Sequence, residues 1–334
     1  MDKILPFKIP EITCHPGTAA ILGVLDSLNL GKEWIYSNFI MVETFKLQEK
    51  IYNNTLDFVL VPGYECAGVC PWLERSELQG KVLRAISGDD IILVLKKIIT
   101  ANNYIYITID ETMILGKDCP PYHELFVYGF DEAEEIFFVA DFTFRGKYSL
   151  EKVSYKEMKM AYESAASYTG GGLICWSVNL KAHYNFDSTL VYEGIKDYLD
   201  GKSYNLRYVK TYHQAPDTVS GILSYQFLVA HMYEPKNQML KCLHNLYDHK
   251  KLMHERLYFM SEKNYINIEN AIRYSEILKM ADMAWKLYLK YEISGQRKLL
   301  DKEVTILNEM EQKERYILSK VVLQLEKTKR PLFF

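Results

Sequence analysis

The sequence predicts an α+β protein in which a mixed half built on an antiparallel sheet precedes a mainly helical half. Three observations carry this. Between Tyr104 and Phe142 the runs YIYITID, HELFVYGF and IFFVADF follow one another with period-two or continuous β-branched character. After about residue 187 the pattern turns helical and stays so; in the last helix Leu300, Val304, Leu307, Met310, Ile317, Val321 and Leu325 recur mostly at three- and four-residue steps. A short apolar helical pattern also opens the chain. These features suggest two domains, residues 1–180 and 181–334, joined somewhere near 180–215, with no internal repeat.

In order, the first element is a helix from Cys14 to about Asn29, with Ala19, Ala20, Leu22, Val24 and Leu25 inward. Thr13 suits its cap and Pro16 its first turn, where a missing N–H matters little. This puts Cys14 at the N-terminal mouth of the helix. A mixed aromatic stretch follows, then the strand DFVLVPG, a loop with ECAGVCPW, and a helix over about 89–101. DEAEE between the second and third sheet runs has the length of a hairpin connection. After Tyr148 come a capped helix, SYKEMKMAYESAAS, the glycines at 170 to 172 and a strand, LICWSV. Helices are expected over 187–200, about 217–233, 236–260, 264–293 and 297–328, with Ser294 and Gly295 separating the last two.

Composition narrows the function classes. With 40 basic and 43 acidic residues the net charge is -3, and no basic stripe offers itself to a polyphosphate backbone. Nucleic acid is not an expected partner. No run reaches the ~18 apolar residues of a membrane span, and the first residues lack the apolar core of a signal peptide, so a cytoplasmic location is the default. Six cysteines are too sparse for a disulfide scaffold and read as thiols.

Cysteine-based acyl transfer needs a thiolate, a base, and a group that orients the base. A helix N-terminus beside a histidine favours the thiolate, which singles out Cys14. His123 opens HELFVYGF and Asp141 closes IFFVADF. If Phe130 pairs with Ile136 across the turn, Asp141 falls opposite Leu125 and His123 lies two residues further on. Both then share one face as diagonal neighbours, with Cβ atoms roughly 7 Å apart, within reach of an imidazole–carboxylate hydrogen bond. A slip of one residue would put them on opposite faces.

At these residues the chain resembles the papain-like cysteine proteases, whose Cys lies on an early helix, His on a strand, and Asp or Asn on the next. It is more closely similar to the family of the butirosin biosynthesis protein H N-terminal domain: an early Cys before a small-residue helix, a strand ending in Asp (YITID), a histidine opening HELFVYGFD, and a strand ending in Asp (FFVAD). The likeness spans about residues 10–180. It implies a papain-like core, with Cys14 as nucleophile, His123 as acid/base and Asp141 as orienter. It further implies amide formation rather than proteolysis, in nonribosomal-peptide-type antibiotic biosynthesis, with closthioamide-type assembly as one setting. The implied acyl donor is a carrier-protein thioester and the acceptor a small amine, with no metal, ATP or resident cofactor. One position departs from the papain pattern: Lys8 stands six residues before Cys14, where the papain-like enzymes place an oxyanion-holding Gln.

Other readings stand beside this one. Asp110, which also closes a strand, is a rival orienter. Cys66 and Cys70 lack a second ligand pair for zinc, and Cys119 with His123 has no further ligands. His244, His249 and His254 step by five residues, about 140° around a helix, and cannot form one ligand face. The glycines at 170 to 172 lack the helix and Lys-Ser/Thr of a phosphate loop and read as a tight turn. As whole-protein functions, a cysteine peptidase or amidase with the same triad and a non-catalytic binding protein remain the alternatives.

Overall fold

The structure, a computed structural model, describes residues 2–46, 56–61, 67–87, 90–116, 122–142, 147–202, 218–234 and 238–328. Cys66 and Cys119 lie outside the described residues. In chain order the elements begin β1 (Lys3–Ile4), α1 (Pro16–Ser27), α2 (Lys32–Asn38), β2 (Met41–Lys46) and β3 (Leu56–Val61). Next come β4 (Leu73–Leu78), α3 (Gly80–Ser87), α4 (Ile91–Thr100), β5 (Asn103–Asp110) and α5 (Thr112–Leu115). They continue with β6 (Tyr122–Asp131), β7 (Ile136–Asp141), β8 (Ser149–Ser154), α6 (Tyr155–Thr169), β9 (Leu173–Val178) and α7 (Ser188–Asp200). After the short β10 (Val219–Ser220) follow α8 (Ser224–His231), α9 (Met239–Glu262), α10 (Ile268–Ser294) and α11 (Lys298–Thr328).

Two units divide the chain: Met1–Gly31 with Gly63–Tyr184, and Lys32–Pro62 with Asn185–Phe334. The first ends close to the boundary read from the sequence. Residues 32–62, however, group with the helical half, because β2 pairs with β10 (Thr44↔Val219) and with β3.

In the first unit the strands run β4-β9-β5-β6-β7-β8, every pair antiparallel. β1 pairs with β6 at Phe130 and Gly129, beyond Val127, the last partner of β5. Strand alternation sorts the side chains. Ile105, Ile107, Ile109, Leu125 and Val127 share one face and are almost wholly buried. The other face is aromatic: Tyr104 stacks on Phe126 at 5.6 Å, Tyr106 on Trp176 at 5.5 Å, and Phe7 meets Phe126 at 4.8 Å.

Helix α1 packs against β6 and is buried from Gly17 to Leu25. A fully buried large apolar side chain contributes about 1.5–3 kcal/mol, so packing rather than propensity holds a helix that contains two glycines. Gly23 is needed there, because a Cβ would collide with the Phe7 ring and the Lys8 carbonyl oxygen. The outer strands carry charged residues, Glu74, Arg75 and Glu77 in β4 and Glu151 and Lys152 in β8, which blunts both edges of the sheet.

Local chemistry sets the element ends. Asp90 caps α4 by accepting the Leu93 N–H, and Ser154 with Glu157 forms a reciprocal capping box on α6. Gly170 ends α6 in the left-handed region, at φ 82. Strand β9 follows it, so the three glycines form a turn between a helix and a strand. The helix expected over about 217–233 is shorter: β10 and a 3-10 turn at Gly221–Leu223 occupy its start.

The second unit has the three-stranded sheet β10-β2-β3, with α9 packed on β3, and the long helices α9, α10 and α11 packed in sequence. Its core holds a fully buried ion pair. Lys250 Nζ lies 3.0 and 2.8 Å from the two Glu314 carboxylate oxygens, which also accept the hydroxyls of Tyr198, Tyr225 and Tyr274. Arg256, equally buried, donates to the Tyr36 and Phe39 carbonyls. His249 bonds the Ile40 carbonyl, while His244 and His254 rest against Trp285 and Tyr258. The three histidines are thus accounted for separately.

Candidate functional site

The hairpin of β6 and β7 does not begin in the register assumed from sequence. At the turn Asp131 pairs with Ile136 and Phe130 with Phe137, one residue off the expected pairing. The connection is the four residues 132–135, closed by Asp131 Oδ1, which accepts the N–H groups of Ala133 and Glu134. A β-bulge between Val127 and Gly129 then takes up the extra residue, so that Val127 pairs with Val139 and Phe126 with Ala140. One step on, Asp141 sits beside Leu125, the expected neighbour.

His123, opposite Ile109 on β5, therefore meets Asp141. Its Nδ1–H donates to Asp141 Oδ2 at 2.8 Å, the tautomer following from this partner. Asp141 is 1% exposed, and its Oδ1 accepts the Phe142 N–H at 2.6 Å. The carboxylate is thus held from both sides, and Nε2 is the ring nitrogen left for chemistry. The Glu124 carbonyl lies 3.1 Å from the same Nδ1.

A second carboxylate, absent from the sequence reading, completes the cluster. Glu111 Oε1 lies 3.3 Å from His123 Nδ1, with its side chain 6% exposed. Glu111 follows β5 and caps the short α5, and its carbonyl accepts the N–H groups of Ile114 and Leu115. The signal was available: position 111 has the parity of Ile109, the residue paired with His123.

Asp110, the rival orienter, faces elsewhere. It accepts the Ser164 hydroxyl at 2.5 Å, the Thr112 hydroxyl at 2.6 Å and the Thr112 N–H at 3.0 Å. Burial would raise its carboxyl, but these bonds prevail and hold it below the ordinary value. It acts as a local brace between β5, α5 and α6.

The electrostatics of the cluster follow from burial and charge. Burial alone would lower the pKa of His123, but the hydrogen bonds and charges of Asp141 and Glu111 outweigh it and push it up to about 11. For Asp141, burial and the Glu111 charge raise the carboxyl against the pull of His123 and the Phe142 N–H. The two partners thus compete for the proton. We place it on His123, because both Asp141 oxygens accept from N–H donors, the arrangement of an ionised carboxylate.

Cys14 is 3% exposed and lies two residues ahead of Pro16, the first residue of α1. The cap residue of the helix is His15, in extended conformation, rather than Thr13. Three other described cysteines are buried thiols that burial pushes up, Cys70 and Cys175 to about 11 and Cys242 to about 12. They are poor nucleophiles at neutral pH. Lys8 is exposed, and its charge acts on Asp26 of α1.

Glu111, His123 and Asp141 each offer one donor atom, all within 4.8 Å of one another, so this cluster could also hold a metal ion. A metal would have to displace the proton on Nδ1. No helix among the described residues is long and apolar enough to cross a membrane. No family model matches the sequence, and no curated protein matches it either. What fold and site define together is an α+β protein with antiparallel sheets, a helical C-terminal part, and a histidine clasped by two buried carboxylates.

Proposed function

We propose that the chain is a cysteine-dependent acyltransferase with a papain-like core that forms an amide bond from a carrier-protein thioester and an amine. The observation that carries this is the 2.8 Å bond from His123 Nδ1 to the buried Asp141, which leaves Nε2 free to exchange protons. The position of Cys14 before α1 supports it as the nucleophile.

In this reading the Cys14 thiolate attacks the thioester carbonyl. The carrier thiol leaves with a proton from His123, and an acyl-Cys14 remains. An amine then attacks that acyl group and gives its proton to His123, and the amide departs as the thiolate is restored. Backbone N–H groups at the start of α1 are the candidate donors for the oxyanion. The resemblance to the butirosin-type family supports a cytoplasmic role in secondary-metabolite assembly, with an acyl or peptidyl carrier protein as partner.

The test is incubation with an acyl N-acetylcysteamine thioester, with and without an amine, followed by intact-mass and product analysis. An acyl adduct on Cys14, lost in Cys14→Ala, and amide in excess of free acid are expected. Free acid as the main product would make the enzyme a hydrolase. No adduct on the wild type would sink the catalytic reading.

A further inference from the structure

We propose that Glu111, His123 and Asp141 form a binding site for a divalent transition-metal ion, zinc foremost, which takes the place of the proton on His123 Nδ1. The site stands on the donor geometry; its effect on acyl transfer rests on the acyltransferase reading.

Three oxygens surround one ring nitrogen: Asp141 Oδ2 at 2.8 Å, the Glu124 carbonyl at 3.1 Å and Glu111 Oε1 at 3.3 Å. A single N–H serves one of them well, and Asp141 by itself would orient the ring, so a proton does not account for the gathering. A metal ion does, because it accepts several donors at once. The ligand atoms of Glu111, His123 and Asp141 all lie within 4.8 Å of one another. Ligands about 2.1 Å from a tetrahedral zinc stand roughly 3.4 Å apart, so small side-chain adjustments close the cluster on an ion. Each ligand is set by a different strand of one sheet: Asp141 ends β7, His123 lies near the start of β6, and Glu111 follows β5, with its carbonyl closing α5. Asp141 Oδ1 is held by the Phe142 N–H, which leaves Oδ2 to face the ring. Asp110, next in sequence to Glu111, is engaged by Ser164 and Thr112 and adds no ligand.

The donor set selects the ion. One imidazole nitrogen with two carboxylates suits zinc and its first-row neighbours, whereas magnesium and calcium favour oxygen alone. Charge points the same way. Two carboxylates sharing one imidazolium leave one negative charge in excess; a dication with a neutral imidazole brings the sum to zero. Asp141 and Glu111 are 1% and 6% exposed, so that excess lies where water compensates it poorly. The His123 side chain is 30% exposed and gives an ion its way in. On binding, the Nδ1 proton leaves to solvent, the Nδ1 lone pair goes to the metal, and the remaining ring proton stays on Nε2. A ring in that state has no lone pair to take a proton from Cys14 or from the amine, so the ion holds acyl transfer off until it is removed.

The first arm of the test uses the full chain freed of metal by chelation, with no turnover needed. Equilibrium dialysis against zinc should show a site whose affinity falls about tenfold or more in Glu111→Gln and in Asp141→Asn, and is unchanged in Cys14→Ala. Cobalt bound to the wild type should show visible d–d bands without the near-ultraviolet band of a thiolate ligand, a readout that holds even where a variant fails to fold. An affinity unmoved by both carboxylate variants, or a thiolate band lost in Cys14→Ala, overturns the site and puts the ion elsewhere. The second arm measures acylation of Cys14 by the N-acetylcysteamine thioester. Zinc should slow it about tenfold or more in the wild type, a chelator should restore it, and Glu111→Gln should need about tenfold more zinc for the same effect. Zinc held by the cluster with acylation undiminished overturns the block on acyl transfer. No acyl-enzyme with the metal removed defeats the proposed function itself, while dialysis and the cobalt spectrum still decide the site.

Discussion

Lys250 and Glu314 meet at 2.8 Å with neither side chain exposed, in the core of the helical unit. Burial lowers the lysine pKa against the pull of the glutamate. Removing one partner of a buried pair leaves an uncompensated charge, so Lys250→Met or Glu314→Met should each lose about 3–5 kcal/mol in urea unfolding. The double variant should lose clearly less than the sum, because the charge that makes each single change harmful is then gone. Additive losses would show that the pair is not coupled.

The pH dependence of stability should carry the signature of His123. Its folded pKa is raised to about 11, above the ordinary ~6.5 of an unfolded histidine. The stabilisation is therefore fully present below about 6.5 and is lost as pH rises toward 11. Urea midpoints for the wild type should fall across that window, and His123→Gln should flatten the slope.

Glu303 of α11 is buried with both carboxylate oxygens lacking a hydrogen-bond partner, and burial raises its pKa to about 8. The folded state thus holds a proton that the unfolded chain releases near ~4.5, and the benefit declines as pH rises from there to about 8. Glu303→Met removes the unpartnered acid at similar volume. It should stabilise the protein by on the order of 1–3 kcal/mol at pH 8 and by much less at pH 4.5. Equal effects at the two pH values would count against a buried protonated acid.

Asp110→Ala removes the brace to Ser164 and Thr112. The expected loss is about 1–2 kcal/mol, with no change in the NMR midpoint of His123. A shift of that midpoint would return Asp110 to the site.

Alkylation with iodoacetamide at pH 7.5, followed by peptide mapping, should modify Cys14 ahead of Cys70, Cys175 and Cys242, whose thiols are pushed up by burial. His123→Ala should slow modification at Cys14. Faster labelling at Cys242 than at Cys14 would contradict the assignment of the nucleophile.

How far the fold could be read in advance differs from element to element, for physical reasons. β5 and β7 announce themselves because Tyr104, Ile105, Ile107, Phe137 and Val139 are β-formers bounded by polar turns. The long helices are plain from their apolar steps. By contrast, β4 and β8 are polar edge strands with little alternation to detect. The grouping of residues 32–62 with the helical half depends on Thr44 meeting Val219, a pairing 175 residues apart that no local pattern encodes. His123 and Asp141 could be paired by counting along the hairpin. Glu111 lies outside that hairpin: the parity it shares with Ile109 is its one signal in the sequence, and its side chain enters from the turn beyond β5.

The bulge at Tyr128 works as a vernier between the turn and the site. Because it absorbs one residue, the loop end of the hairpin and the end that carries His123 and Asp141 run in registers that differ by one. Deleting Tyr128 alone would make Val127 and Gly129 neighbours opposite Val139 and Phe138, so the turn and the placing of His123 beside Asp141 would both survive and only the local bend of β6 would be lost.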